Sequence, residues 1–271
     1  MKTALLGLAL ILLNGCARRY RVEGMIVSIR RDPATLTVSH RAIPGFMPAM
    51  TMPFPVEKPS TLESLSPGDR ICFDLLIRNN RSRLANISTR RTDPNDEDFI
   101  PVAQKKLPLS APVPDFQLSD HTGASIRLSN LQGRVVAINF IYTRCPLPDV
   151  CPRLTSTFAH LQRRFESRTD LALLSITLDP RYDTPEILAA YAASAGARPP
   201  AWRMLTGPES DITSIARSFG LLHWAEEGVI VHSSYTAVIT RDGRLAALVE
   251  GSTYPAAQLA DLIAHFLDNG E

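Results

Sequence analysis

The sequence is poor in the features that classify a chain most quickly: cysteine, long apolar runs and charge of one sign. Four Cys in 271 residues cannot build a disulfide-dense scaffold. The one pronounced apolar run, Ala4 to Leu13, is ten residues long. A spanning helix needs about 20, so this is not a multispan membrane protein. With 29 Lys+Arg against 27 Asp+Glu the net charge is +2, which leaves no nucleic-acid footprint. Internal repeats and low-complexity tracts are absent as well. What is there is globular: 45% hydrophobic and 21% charged, in a length that suits two domains with separate cores.

The sulfur that is present is unevenly placed. Met47, Met50 and Met52, three of the six Met, fall within six residues, and Cys145 and Cys151 within seven.

Residues 1–15, MKTALLGLALILLNG, have a basic start, a short apolar stretch and small residues after it, the pattern of a secretory signal. Leu13-Asn14-Gly15-Cys16 resembles a bacterial lipobox, with Cys16 lipidated as the first mature residue. The alternative is an ordinary cleaved signal with a chance Cys. Either reading expects an exported, periplasmic chain in an oxidising compartment; any membrane attachment would come only through lipid on Cys16.

Residues 20–91 alternate with period two in five short stretches: Arg21–Arg30, Thr35–His40, Thr51–Val56, Arg70–Arg78 and Arg83–Thr89. Turn signals separate them, which predicts a small all-β barrel of the OB type. Residues 92–114 hold five Pro and an acidic stretch and read as an extended linker. From 115 to 271 strand and helix alternate. Val135–Tyr142 and Leu171–Leu178 are apolar enough for strands buried on both faces. Thr184-Pro185 opens a helix, and a hairpin (Tyr235–Thr240, Leu245–Glu250) precedes a last helix, Ala256–Leu267. That is the order of a thioredoxin-like α/β domain.

The segment TRCPLPDVCP (143–152) lies between a buried strand and a helix. A helix start lowers a thiol pKa, and thiolate is the form that attacks disulfides and ligates soft metals. A plain stabilising disulfide is the competing reading, weakened because so short a loop gains little from a staple.

Residues 115–267 resemble the SCO/SenC family of copper-handling thioredoxin-like proteins, through PDFQLSDHTG, INFIYTRCPLPDVCP, SITLDPRYDTPEIL and VHSSYTAVITRDG. The resemblance implies copper held by Cys145, Cys151 and His232, with Asp179 in a supporting place. It also implies a role as chaperone for the copper centre of cytochrome c oxidase, or as a thiol–disulfide reductase acting on it, with the two Cys redox-active. The family has three residues between its cysteines; here there are five, two of them Pro. Two thiolates and an imidazole suit Cu(I) and accept Cu(II). A lone His is otherwise an ordinary hydrogen-bonding residue. Ser233-Ser234 stand where a redox thioredoxin has a cis-Pro, which argues against a general disulfide oxidoreductase. The Thr that a thiol peroxidase has three residues before its Cys is absent, since Tyr142 and Pro148 occupy those places.

In HRAIPGFMPAMTMPF (40–54), Met50 and Met52 project to one face of a strand, within reach of His40. An imidazole with two thioethers is a soft site for Cu(I); the alternative is Met as flexible core packing. PAMTMPF and SPGDRICFDL resemble the CusF-like periplasmic copper-binding domain, an OB barrel with a His and a Met-Thr-Met pair. Its capping Trp is replaced here by Met47, which leaves Met47 as a third thioether or Phe46 as the ring. Cys72 is expected to be buried and is not counted as a ligand. Taken together, the two resemblances imply a copper chaperone whose partner is an apo cytochrome c oxidase copper subunit or another periplasmic acceptor. Reductase and copper buffering are the alternatives, and no nucleic acid is involved.

Overall fold

The computed structural model describes residues 18–78, 81–89, 106–221, 223–226 and 229–269. The leader, Cys16 and the first part of the proline-rich segment lie outside the described residues. Among the described residues, no helix is long and apolar enough to cross a membrane.

The first region is a five-stranded antiparallel sheet: β1 (Arg18–Arg31), β2 (Ala34–His40), β3 (Met50–Pro55), β4 (Arg70–Arg78) and β5 (Arg81–Thr89), in the order β3-β2-β1-β4-β5. A bridge between Val56 and Leu84 brings its two edges together. A bulge between Ile26 and Ser28 bends the long β1, as an extra residue on one strand does. Alternate residues point inward, so that Leu36, Val38, Phe54, Phe73 and Leu75 form one apolar core.

The second region contains β6 (Gln117–Asp120), β7 (Ser125–Arg127), β8 (Val135–Ile141), α1 (Cys151–Arg164), β9 (Leu171–Thr177), α2 (Pro185–Ala195) and β10 (Trp202–Thr206). It continues with α3 (Glu209–Ser218), the hairpin β11 (His223–Glu226) and β12 (Val229–His232), then β13 (Tyr235–Ile239), β14 (Leu245–Glu250) and α4 (Ala256–Asn269). Seven of these strands form one sheet, ordered β14-β13-β8-β9-β10-β6-β7. Its parallel centre, β8 to β10, is covered on both faces. Every residue of β8 and β9 is therefore buried, which is why those strands read as unbroken apolar runs. Leu154 and Phe158 of α1, Leu188 of α2 and Leu259 of α4 pack on one face. Ile212 and Ile215 of α3 pack on the other. The Thr184 hydroxyl accepts from the Ile187 N–H to cap α2, and Gly196 ends that helix at φ 70°.

Two hairpins were not foreseen: β6–β7 and β11–β12 have strands of three or four residues, too short to carry a period. The end of the proline-rich segment lies along the second region. The N–H groups of Leu107, Ser110 and Val113 donate to Ser218, Leu245 and Gly243. Cys72 corrects its expectation: it is half-buried, not buried. Its neighbours Ile71 and Phe73 take the inward places, leaving Cys72 on the outer face of β4.

One transverse row of the barrel meets the second region. Thr51, Ser39, Met25 and Arg70 stand side by side on adjacent strands. Met25 is fully buried within the core of the second region. The Ser39 and Thr51 hydroxyls both donate to Oδ2 of Asp261 on α4, at 2.6 and 2.7 Å. Gln258 donates to the Ser39 carbonyl at 2.9 Å, and Arg70 to the Thr253 hydroxyl at 3.1 Å.

Candidate metal centres

The cysteine loop leaves the end of β8 and enters α1, so Cys151 is the first residue of that helix, with Pro152 behind it. Cys151 is buried and Cys145 half-buried, both as free thiols. The neighbouring Cys151 thiol and backbone N–H pull the Cys145 pKa down to about 6. The same contact, with burial, pushes the Cys151 thiol up. The two thiols are thus uneven: Cys145, in the loop ahead of α1, is the more acidic, and Cys151, at the helix start, the less.

His232 ends β12 and faces this pair. Its Nε2 lies 3.9 Å from the Cys151 sulfur, and its Nδ1 lies 2.9 Å from the Ser233 carbonyl. A carbonyl only accepts, so the hydrogen sits on Nδ1 and Nε2 turns a lone pair towards the thiols. Burial lowers the His232 pKa to about 4, which keeps that lone pair free near neutrality. The Tyr142 ring packs edge-on against the imidazole at 5.9 Å.

Asp179 reaches neither cysteine nor His232. It binds the Arg144 guanidinium at 2.5 Å, beside Cys145 in the chain, and Arg144 lies over the Tyr182 ring at 4.0 Å. The loop is also held by Asp183, which sequence reasoning missed. Fully buried, it accepts from the Thr143 N–H at 3.1 Å and from the hydroxyls of Thr143 and Thr177. Its signal was the second Asp in DPRYDTP. His223 stands directly opposite His232 in the β11–β12 hairpin. On the far side of the loop, the Ser252 hydroxyl donates to the Asp149 carbonyl at 2.7 Å. Among the described residues no three His, Cys, Asp or Glu side chains are already drawn around a common point. Closing Cys145, Cys151 and His232 on one ion therefore requires the five-residue loop to adjust.

In the barrel, His40 is paired with Met50 and Val38 with Met52. Phe54, Met52 and Met50 share a face that climbs from the core to the rim, from 0% exposed at Phe54 to 46% at Met50. His40 is 1% exposed; its Nδ1–H donates to the Arg41 carbonyl at 2.7 Å, and its buried Nε2 has no partner. An orphaned imidazole nitrogen beside two thioethers fits a soft cation. Gly24, opposite His40, makes the close approach possible: a Cβ there would lie 2.5 Å from Val38 Cγ1 and 2.8 Å from the Ser39 carbonyl oxygen. Met47 is half-buried and packs on the barrel core. The exposed Phe46 ring stacks on Tyr20, with centroids 4.7 Å apart.

A thioredoxin-type domain with a helix-start thiol pair beside a neutral imidazole, joined to a barrel with a His-Met donor set, defines a protein built for a soft metal. The SCO1/SenC family model matches residues 105–268, and that of the copper binding periplasmic protein CusF matches residues 19–89. The chain belongs to the SCO1/SenC family, with a CusF-like region ahead of the family domain, and copper is the metal of this pairing. It is 30% identical over 137 residues to the SCO2-like protein RT0576 of Rickettsia typhi, covering 48% of this chain and 65% of that protein. The fold is similar to that of a SCO1/SenC family lipoprotein from Bacillus anthracis, with a TM-score of 0.54 and 26% identity over 59% of this chain and 98% of that one. It is similar also to BsSco, a member of the Sco family of cytochrome c oxidase assembly proteins studied for a disulfide switch. There the TM-score is 0.53 and the identity 27%, over 61% and 99% of the two chains.

Proposed function

We propose that this chain is an exported copper chaperone that captures Cu(I) in its barrel and delivers copper through its thioredoxin-like domain to the copper centre of cytochrome c oxidase or a similar acceptor. The observation that carries the reading is the Cys151–His232 contact, in which Nδ1 is satisfied by Ser233 and Nε2 faces the thiol pair. Cys145, Cys151 and His232 supply two soft sulfurs and one imidazole, and His40, Met50 and Met52 supply one imidazole and two thioethers, with Met47 adjacent. Thioethers resist protonation and disulfide formation, so the barrel keeps its donors in an oxidising compartment. Its relatives support the acceptor and the anchor: BsSco belongs to oxidase assembly proteins, and the Bacillus anthracis relative is a lipoprotein, as Cys16 would make this chain. Anaerobic Cu(I) titration of the full chain tests the reading. Two equivalents are expected, falling to one with Met50→Leu and Met52→Leu together, and to the other one with Cys145→Ser and Cys151→Ser. A single equivalent insensitive to the methionines would overturn the two-site reading.

A second reading, a thiol–disulfide reductase, is favoured by the uneven thiol pair. The Cys145 thiolate attacks one sulfur of an acceptor disulfide and releases the other as a thiolate. Cys151 then gives up its proton and attacks Cys145, releasing the second acceptor thiolate and leaving a Cys145–Cys151 disulfide. Two electrons have passed to the acceptor. Reduction that survives His232→Ala and stops with Cys145→Ser would favour this reading over delivery.

A further inference from the structure

The copper strands of the barrel carry a second function on their outer face. Ser39 immediately precedes His40, and Thr51 separates Met50 from Met52. Because strand residues alternate, the hydroxyls of Ser39 and Thr51 point away from the donors, and both meet the same oxygen of Asp261. One carboxylate oxygen on α4 thus bridges β2 and β3 at the level of the ligand pair. Docking itself has other supports: Met25 fills the core of the second region, and Arg70 bonds Thr253. Asp261 adds a cross-tie between the two strands on which His40 and Met50 stand opposite each other.

We infer that Asp261 is a positioning residue for the barrel's copper site: the second domain, through this carboxylate, fixes the strand spacing that brings His40, Met50 and Met52 onto one ion. The inference rests on the two-site reading. A group that orients ligands without touching the metal typically contributes about 10–100-fold in affinity. Asp261 acts through the backbone, so its expected share is the low end, about tenfold.

The test uses the full chain with Cys145→Ser and Cys151→Ser, so that anaerobic competition with a chromophoric Cu(I) chelator reads the barrel alone. Asp261→Ala and the pair Ser39→Ala with Thr51→Val are each expected to weaken Cu(I) binding about tenfold and to lower the sulfur count around copper in X-ray absorption. Asp261→Asn keeps an acceptor oxygen and is expected to retain most of the affinity. All three changes together should cost no more than Asp261→Ala alone, because they cut one tie. Unchanged affinity in Asp261→Ala, or losses that add, would overturn the inference. If Asp261→Ala does not fold, as near-ultraviolet circular dichroism would reveal, the Ser39/Thr51 pair gives the same decision. A parent chain whose Cu(I) binding is indifferent to His40→Ala and Met50→Leu would instead overturn the two-site reading.

Discussion

The Cys151 sulfur and the His232 imidazole meet at 3.9 Å across two elements that are 81 residues apart in sequence, with the ring held by the carbonyl of its own neighbour, Ser233. In the proposed two-site reading, replacing His232 with Ala removes a ligand and not merely its support. The loss in copper affinity at this site is expected to exceed the roughly 10–100-fold typical of an orienting partner, while barrel binding stays unchanged. Chelator competition on the two sites separately checks both halves.

The same imidazole makes stability depend on pH. Its folded pKa, about 4, lies below the unfolded value of about 6.5, so between these two values the unfolded chain binds the extra proton. Stability of the metal-free protein should therefore be full above pH 6.5 and fall as pH drops towards 4, by up to about 3 kcal/mol from this group. His232→Gln should lack that portion of the slope in urea unfolding measured at several pH values.

Cys145 and Cys151 should alkylate in order. With its pKa near 6, Cys145 is expected to react with iodoacetamide along a profile centred near that pH, while Cys151 stays protected. Cys151→Ala removes the neighbouring thiol and should move the Cys145 midpoint up towards the usual value of about 8.5. A midpoint that does not move would show that the helix start, and not the second thiol, sets the acidity.

Asp183 joins the cysteine loop to β9 by accepting three hydrogen bonds in a fully buried place. Asp183→Ala leaves Thr143 and Thr177 donors without partners. At about 1–3 kcal/mol for an unsatisfied buried group, with Thr177 fully buried and Thr143 half-buried, it is expected to destabilise the second domain by about 1–3 kcal/mol in denaturant unfolding. The Cys145 reactivity profile should shift with it, because Thr143 lies two residues away.

Gly24→Ala tests the barrel from the other side. The added Cβ collides with Val38 and the Ser39 carbonyl, forcing β1 and β2 apart beside His40. A loss of about 1–3 kcal/mol is expected, as for overpacking elsewhere. Barrel Cu(I) affinity should fall with it.

Much of this molecule was legible in advance because its long elements carry strong periods. β8 and β9 announced themselves as apolar runs, α2 by Thr184-Pro185, and the barrel strands by alternation. Cys145 and Cys151, His232, His40 and the methionines were singled out by residue type and by resemblance. What escaped notice depends on contacts distant in sequence. Asp183 reaches Thr143 across 40 residues, and Asp261 reaches Ser39 across 222; His223 and His232 are close in sequence but meet through strands of four residues, too short to carry a period. Cys72 was misjudged because alternation says which residues share a face but not which face is covered.

Met25 has a consequence for the order in which the molecule is made. A side chain from β1, made before any of the second region, completes the hydrophobic interior of that later region. The barrel can close on its own core early, but the later domain is finished only when its helix α4 arrives and seats this methionine. Severing the chain between the two regions would leave a socket in one fragment and a bare plug on the other.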